Sequence, residues 1–286
     1  MTEPPMALMR SWLIAPLGLE VSNAIRRLRR APDVQHVAVM PDVHLAEDVC
    51  VGVAAATSES LYPQAVGGDI GCGMLAVPFD IDAVSISEPR IAGRILAGLG
   101  NSIPALRRTR QRAVRLPEDL STAVLSDSRL QALWKTTGVL EFATIGSGNH
   151  FVELQADESG RLWLMVHSGS RGLGPAIRDY HLARGESVGG GLRYLSAGTD
   201  IGAAYLSDAG LARRYAVENR RHIALLAEKT LLDTVGKGRL QWAEAITTDH
   251  NHVERETHGG RGLWVHRKGA MPAWPDQAGG PARLDG

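Results

Sequence analysis

The sequence predicts an α+β domain built on a mixed or largely antiparallel sheet. Short apolar strand segments recur, each running into a polar, glycine-rich loop and then into another strand. Helical stretches lie between them, but without the regular strand–helix–strand alternation of a doubly wound fold. The 32 glycines gather in a few loops, a pattern suited to a site made of loops on a rigid scaffold. A chain of 286 residues is long enough for one large domain or two small ones.

Residues 1 to 21 are apolar and broken by prolines, and give no clear element. Ser22 is the expected N-cap of a helix running to about Arg30 and ended by Ala31-Pro32. Its arginines Arg26, Arg27, Arg29 and Arg30 read as a solvated face. Val37 to Met40 is a short buried strand that runs into a turn, Pro41-Asp42-Val43-His44. Cys50 to Ala56 and Met74 to Val77 are the next strands, and the glycine-rich turn lies between them. Ile91, Ile95 and Leu99 repeat every four residues, as on one helix face closed by Gly100-Asn101. Arg107, Arg108, Arg110, Arg112 and Arg115 follow, either an exposed loop or a phosphate contact. Phe142 to Ile145 is a strand candidate that feeds Gly146 to Glu153. Leu162 to Val166 is another, delivering His167 to Gly174, whose hydroxyls, arginine and backbone N–H groups suit an oxyanion. Ile201 to about Val235 reads as a long helix with Leu211, Ala212, Tyr215, Ala216, Ile223 and Leu226 as its apolar stripe. Asp249-His250-Asn251-His252 comes next, then a short strand, Leu263 to Val265, leading to His266-Arg267-Lys268-Gly269-Ala270. From Met271 the chain is rich in Pro, Gly and Ala.

Composition narrows the function. Lys plus Arg and Asp plus Glu are 31 each, so the formal net charge is zero, which argues against coating nucleic acid by bulk charge but leaves room for a local basic groove. The two cysteines, Cys50 and Cys72, need no disulfide framework and fit a reducing compartment. The N-terminal residues lack the basic and apolar regions of a signal peptide, and no apolar run approaches the roughly 20 residues of a membrane span. The expected location is cytoplasmic.

The chemistry centres on Val66 to Met74, where four glycines in nine residues allow a tight turn. Asp69 and Cys72 sit three apart in it. A hard carboxylate and a soft thiolate so placed can grip one borderline divalent ion, or the thiolate can bridge two. Alone, the pair reads equally as a buried cysteine in a glycine-rich turn. His150, His167 and His250 lie in comparable loops, and each taken singly reads more readily as a hydrogen-bonded structural residue. Together the five make a donor set for Mn²⁺, Zn²⁺, Fe²⁺ or Co²⁺ rather than Mg²⁺ or Ca²⁺. A two-metal site suits phosphoryl transfer, with Arg171 and Lys268 to neutralise phosphate charge. His36, His181, His222, His252, His258 and His266 are expected to be structural, although His252 would share a face with His250 in an extended chain.

Five segments together resemble the RtcB family of RNA ligases: Pro41-Asp42-Val43-His44, Val66 to Met74, Gly146 to Glu153, His167 to Gly174, and His250-Asn251 followed by Arg267-Lys268-Gly269-Ala270. They stand in family order across most of residues 37 to 273, and Tyr215 to Arg220 also looks like the family's. The resemblance implies a GTP- and Mn²⁺-dependent ligase that joins an RNA 3′-phosphate or 2′,3′-cyclic phosphate to a 5′-hydroxyl in RNA repair or tRNA splicing. In that family a histidine is guanylylated by GTP, GMP passes to the RNA 3′-phosphate, and the 5′-hydroxyl displaces it. By motif match Asp69, Cys72, His150, His167 and His250 hold two manganese ions, with Cys72 bridging. Asn149, His150, Phe151, Glu153, Arg171, His250 and Asn251 match positions around the nucleotide and its phosphates. Asp42 and His44 support the metal loop. The implied partners are RNA, GTP and an archease-type activator, with no membrane.

Two departures stand out. Leu45-Ala46-Glu47-Asp48 replaces a segment that usually contains glycine. The family's guanylate-accepting histidine lies beyond the Arg-Lys-Gly-Ala motif in a His-Gly-x-Gly-Arg setting, and no residue here matches it. His258-Gly259-Gly260-Arg261 precedes that motif and is not assigned the role. The expectation is therefore one RtcB-like domain over 1–286, truncated at its C-terminal side, with a metal-binding core of about 37–273 and a flexible tail at 274–286. A dinuclear phosphoesterase without guanylylation and a non-catalytic metal- or RNA-binding remnant are the alternatives.

Overall fold

A computed structural model describes residues 6–272, so the expected tail at 274–286 lies outside the described residues. Strand β1 (Leu8–Ser11) is followed by helix α1 (Leu19–Arg29), then β2 (Val34–His44), β3 (Val51–Thr57), β4 (Ser60–Leu61) and β5 (Gly73–Asp82). Helix α2 (Pro89–Ser102) leads to three short helices, α3 (Glu118–Ser121), α4 (Ser128–Leu133) and α5 (Val139–Glu141), the last two joined by a π-helical turn. Then come β6 (Phe151–Ala156), β7 (Arg161–Ser168), α6 (Leu173–Leu182), β8 (Glu186–Ser187) and β9 (Arg193–Ser196). The long helix α7 (Asp200–Val235) precedes β10 (Ile246–Asp249), β11 (Asn251–His258) and β12 (Arg261–Lys268).

The strands form a five-stranded sheet ordered β1-β2-β3-β12-β11, a four-stranded sheet ordered β10-β5-β7-β6 and a small sheet ordered β4-β9-β8. Only β1 and β2 pair in parallel among the described strands, so a mixed, largely antiparallel α/β architecture is what the chain adopts. Helix α1 buries Ala24, Ile25 and Leu28 with Val37, Val39 and Val53 of the first sheet. Helix α7 buries Ile223, Ala224, Ala227 and Leu231 with Leu75, Val77 and Phe79 of β5 and Leu164 and Val166 of β7. Burial of such side chains is the main force holding helix to sheet, about 1.5–3 kcal/mol for each fully buried Val, Leu, Ile or Phe.

Several elements differ from the sequence reading. The first 21 residues contain β1 and the start of α1. The side chains of β1 are all exposed, so it leaves no alternating pattern to read. Helix α1 begins one turn before Ser22, whose N–H donates to Gly18 O at 2.9 Å. Pro41 to His44 is not a turn: β2 continues through it, with an irregular register against β3 between Val39 and His44 that accommodates a residue without an N–H. Phe142 to Ile145 is not a strand. Ala143 takes a left-handed φ of 56°, and Arg108 donates to Phe142 O at 3.3 Å and Ala143 O at 2.6 Å. That assigns Arg108, from the most basic stretch, to structure rather than to a phosphate. Arg27 and Arg29 are likewise tied to the backbone, at Asp48 O and Ala7 O. Gly259 and Gly260, with φ of 56° and 75°, form the two-residue turn of the β11–β12 hairpin, which explains the His-Gly-Gly-Arg string.

Asp33 anchors the turn between β3 and β4. Its carboxylate accepts from the backbone N–H groups of Ser58, Glu59 and Ser60 at 3.1, 2.7 and 2.8 Å. Burial raises its pKa, but those donors outweigh burial and hold it below the usual carboxylate value. An Asp33→Ala variant is expected to lose about 2 kcal/mol of stability in urea unfolding at neutral pH. Because the folded-state pKa is depressed, this contribution is present above the unfolded-state value near 4 and fades as pH falls through the folded one. A difference from wild type that did not shrink on acidification would count against the assignment.

Candidate metal centre

The four-stranded sheet delivers a donor from each strand at one of its ends. In the order β10-β5-β7-β6, Asp249 pairs with Gly73, Gly73 with Ser168, and His167 with Phe151. The residues at that edge are therefore His250, Cys72, His167 and His150. Asp69 joins them from the glycine-rich turn, where Cys72 N donates to Asp69 O at 3.0 Å. Gly71, third residue of that turn, has φ of 74°, a value that favours glycine. It also lies against α7, where a side chain would meet Arg213 Cα at 2.8 Å.

The donor atoms converge. Cys72 Sγ is 3.3 Å from both His150 Nε2 and His167 Nε2. His167 Nε2 is 3.4 Å from His250 Nε2, and His150 Nε2 is 2.9 Å from Asp69 Oδ2. Donors bound tetrahedrally at about 2.0–2.3 Å from one ion lie roughly 3.3–3.8 Å apart, so most of these spacings are those of ligands around an ion. The outer ring nitrogens are fixed as a metal site requires. His150 Nδ1 donates to Ile145 O and His167 Nδ1 to Asn149 O, each at 3.0 Å. A carbonyl only accepts, so Nδ1 carries the proton and the Nε2 lone pair points inward. The rings pack edge-on, His167 against His150 at 5.2 Å and against His250 at 5.1 Å.

Electrostatics agree with a cation site. Burial, then the neighbouring His167 and Arg220, pushes the His250 pKa down to about 4. Burial also lowers that of His167. Both shifts favour the neutral ring, the form in which a histidine can bind a metal. Burial, then Asp69, pushes the Cys72 thiol well up. Burial pulls the Asp69 pKa upward, but hydrogen bonding at the carboxylate, including that from Ser170 N at 3.0 Å, holds it below the ordinary value. Such a donor set fits a borderline divalent ion, and Cys72 stands between the Asp69–His150 and His167–His250 pairs.

The other expected site residues fall in three groups. Arg171 is beside the centre: its φ is 57°, Nε donates to Thr144 Oγ1 at 3.1 Å, and its guanidinium lies over Gly146 next to His150. Phe151 stacks edge-on with His167 at 5.6 Å, and Asn149 contributes its carbonyl. Glu153 is exposed on β6 with Gln155 as partner. Asn251 clasps the loops: Nδ2 donates to Asp69 O at 3.1 Å and Oδ1 accepts from Gly269 N at 2.8 Å. Lys268 donates to Val49 O at 2.7 Å, and burial lowers its pKa. The described contact of His44 is with Asp42 O, at 2.8 Å, in an exposed part of β2 rather than at the cluster. His252 is turned away from His250 and pairs with Asp249 at 2.9 Å; Asp249 is also held by Arg213.

Sequence reasoning placed Asn219 and Arg220 of α7 in a family-like segment but gave them no role. Asn219 Nδ2 donates to Thr144 O at 3.1 Å and Ser168 Oγ at 3.0 Å. Arg220 Nη1 donates to Gly71 O at 2.8 Å and Ser168 O at 2.9 Å. The signal was there: a polar pair set four residues after Tyr215 and Ala216 on the apolar stripe of one helix.

The fold and the cluster define a mixed α/β protein whose Cys72, His150 and His167 form a thiol–imidazole group that could hold a metal ion. A family model described as tRNA-splicing ligase RtcB matches residues 24–141 and 130–285. RNA-splicing ligase RtcB of Escherichia coli K12 is 31% identical over 276 residues, covering 86% of this chain and 66% of that protein. RNA-splicing ligase RtcB1 of E. coli ATCC 25922 gives the same figures, and RNA-splicing ligase RtcB of Mycobacterium tuberculosis H37Rv is 28% identical over 305 residues, covering 82% and 68%. The chain belongs to the RtcB family. It spans 66% of the length of the two E. coli relatives, just under two thirds. No helix among the described residues is long and apolar enough to cross a membrane.

Proposed function

We propose that this chain is the metal- and guanine-nucleotide-binding core, residues 37 to 273, of an RNA ligase. The reaction joins an RNA 3′-phosphate or 2′,3′-cyclic phosphate to a 5′-hydroxyl, with GTP as co-substrate, in RNA repair or tRNA splicing. The observation that carries the reading is the convergence of Cys72, His150 and His167 donor atoms within 4.8 Å of one another, in a chain of this family. Asp69, Cys72 and His150 would hold one Mn²⁺, and Cys72, His167 and His250 a second. Bound there, the ions supply charge stabilisation to the phosphoryl groups being transferred.

The chain's own residues do the rest. His150 and His167 present fixed lone pairs because their Nδ1 protons are held by Ile145 O and Asn149 O. Arg171, locked by Thr144, offers a cation to a phosphate beside His150. Phe151 supplies an aromatic edge, and Asn149 and Glu153 supply exposed polar groups for the nucleotide. GTP gives its GMP to a histidine with release of pyrophosphate, GMP moves to the 3′-phosphate, and it is released when the 5′-hydroxyl attacks that phosphorus. None of the 286 residues is assigned as the GMP acceptor. RNA ends, GTP and an archease-type activator are the proposed partners, and a cytoplasmic location fits them.

The test incubates the purified chain with Mn²⁺, α-labelled GTP and RNA bearing a 3′-phosphate and a 5′-hydroxyl. Binding of Mn²⁺ and GTP is expected, with no label left on the denatured chain. A labelled band lost in Cys72→Ala would place a GMP acceptor within these residues. Metal-dependent cleavage of phosphodiesters without GTP would replace the ligase reading with a phosphoesterase, and RNA binding with neither metal nor GTP uptake would leave a binding remnant.

A further inference from the structure

Arg220 is one of the largest fully buried side chains described, at 1% exposure, and no carboxylate among the described residues bonds to it. Its Nη1 reaches two backbone carbonyls, while Nε and Nη2 have no protein partner among the described residues. A buried guanidinium so placed is costly, and a well-packed apolar side chain in its place is often neutral or stabilising. Fold stability therefore does not account for it; its position does. Gly71 O immediately precedes Cys72, and Ser168 O immediately follows His167. One guanidinium nitrogen thus ties together the two loops that carry Cys72 and His167, whose donor atoms are 3.3 Å apart. Burial lowers its pKa, while Asp249, Cys72 and Asp69 nearby favour its charged form. Asn219, the preceding residue on α7, bonds Thr144 O and Ser168 Oγ, and Ser168 Oγ in turn donates to Ile145 O, the carbonyl that orients His150.

We propose that Arg220 is a positioning residue for the metal centre. It sets the distance between the Cys72 and His167 loops and places a permanent positive charge beneath an anionic ligand set, so that the ligands are assembled before an ion arrives. Supporting residues outside a metal's own ligands commonly govern its affinity by about 10- to 100-fold. The inference rests on the metal-centre reading, and its test separates the two.

Co²⁺ is titrated into the metal-free wild-type chain and into Arg220→Met and Arg220→Lys variants, following the thiolate-to-cobalt charge-transfer band and thermal unfolding with and without the ion. Arg220→Met is expected to weaken Co²⁺ binding by about 10- to 100-fold and to shift or diminish the band, while the metal-free melting temperature is held or raised. Arg220→Lys keeps the charge but cannot reproduce the planar guanidinium between the two carbonyls, so it recovers affinity only in part. A merely structural arginine would lower the metal-free melting temperature and leave the band of the folded fraction unchanged, which would overturn the proposal. Should the methionine variant fail to fold, the lysine variant decides: wild-type affinity and spectrum in it would equally overturn the clamp. A wild-type chain that takes up no cobalt overturns the metal centre itself, and this role with it.

Discussion

Cys72→Ala is expected to lower affinity for Mn²⁺ or Co²⁺ by more than about 100-fold, beyond the range seen for residues that only support ligands. The reason is geometric. Sγ is the one atom at 3.3 Å from donors on both sides of the cluster, His150 Nε2 and His167 Nε2. Asp69 lies only on the His150 side and His250 only on the His167 side. Removing either of those leaves three donors around one position, whereas removing the thiol depletes both. Cys72 is 3% exposed, so replacing it with alanine leaves a small buried gap and a modest loss of metal-free stability, about 1 kcal/mol. The measurement is the metal content of dialysed protein beside a Co²⁺ titration of wild type, Cys72→Ala, Asp69→Asn and His250→Ala. Retention of two equivalents by Cys72→Ala would show that the sulfur is a packing group.

Gly73→Ala is expected to be the most disruptive single-methyl change near the site. A Cβ at Gly73 would fall inside the contact radius of Thr248 O and at 2.5 Å from Asp249 Cα, both backbone atoms of the paired strand β10. Backbone held in a strand pair cannot turn aside as a flexible side chain can. We expect about 3 kcal/mol or more of destabilisation, at the upper end of overpacking effects. The displaced segment runs directly into His250, whose N–H donates to Cys72 O at 2.9 Å, so metal affinity should fall with stability. Gly210→Ala serves as the control, because a Cβ there meets nothing within 4 Å and the residue lies within α7, where alanine is the better helix former. Equal melting temperatures for the two variants would mean that β5 and β10 are less tightly paired at this edge than the register indicates.

Much of this architecture is legible in single segments. Ile91, Ile95 and Leu99 fall on α2, and the stripe from Leu211 to Leu226 falls on α7, which runs from Asp200 to Val235. A helical period of 3.6 survives in sequence because one face stays buried along the whole element. β1 leaves no such trace, since all four of its residues are exposed and it is held by backbone pairing with β2. Phe142 to Ile145 misleads in the opposite direction. Phe142 and Ala143 are buried and Ile145 half-buried, but a left-handed Ala143 and the guanidinium of Arg108 make the segment a turn. Short apolar runs do not distinguish the two cases.

The sequence by itself determined the donor types. Asp69, Cys72, His150, His167 and His250 each stand in a polar or glycine-rich stretch beside a strand, and residue chemistry alone selects a borderline metal over Mg²⁺ or Ca²⁺. It also sorted His252 from His250 no further than a shared face in an extended chain. The tertiary structure decided the rest. Register along β10, β5, β7 and β6 brings donors up to 178 residues apart to one sheet end, and the turn at His250 sends His252 to Asp249 instead. It gave Asn251 to the clasp between Asp69 and Gly269, and Arg220 to the carbonyls beside Cys72 and His167. The physical reason is that period and composition are local, whereas a metal centre depends on which strand ends are hydrogen-bonded side by side, and that pairing is fixed only when the sheet closes around its core.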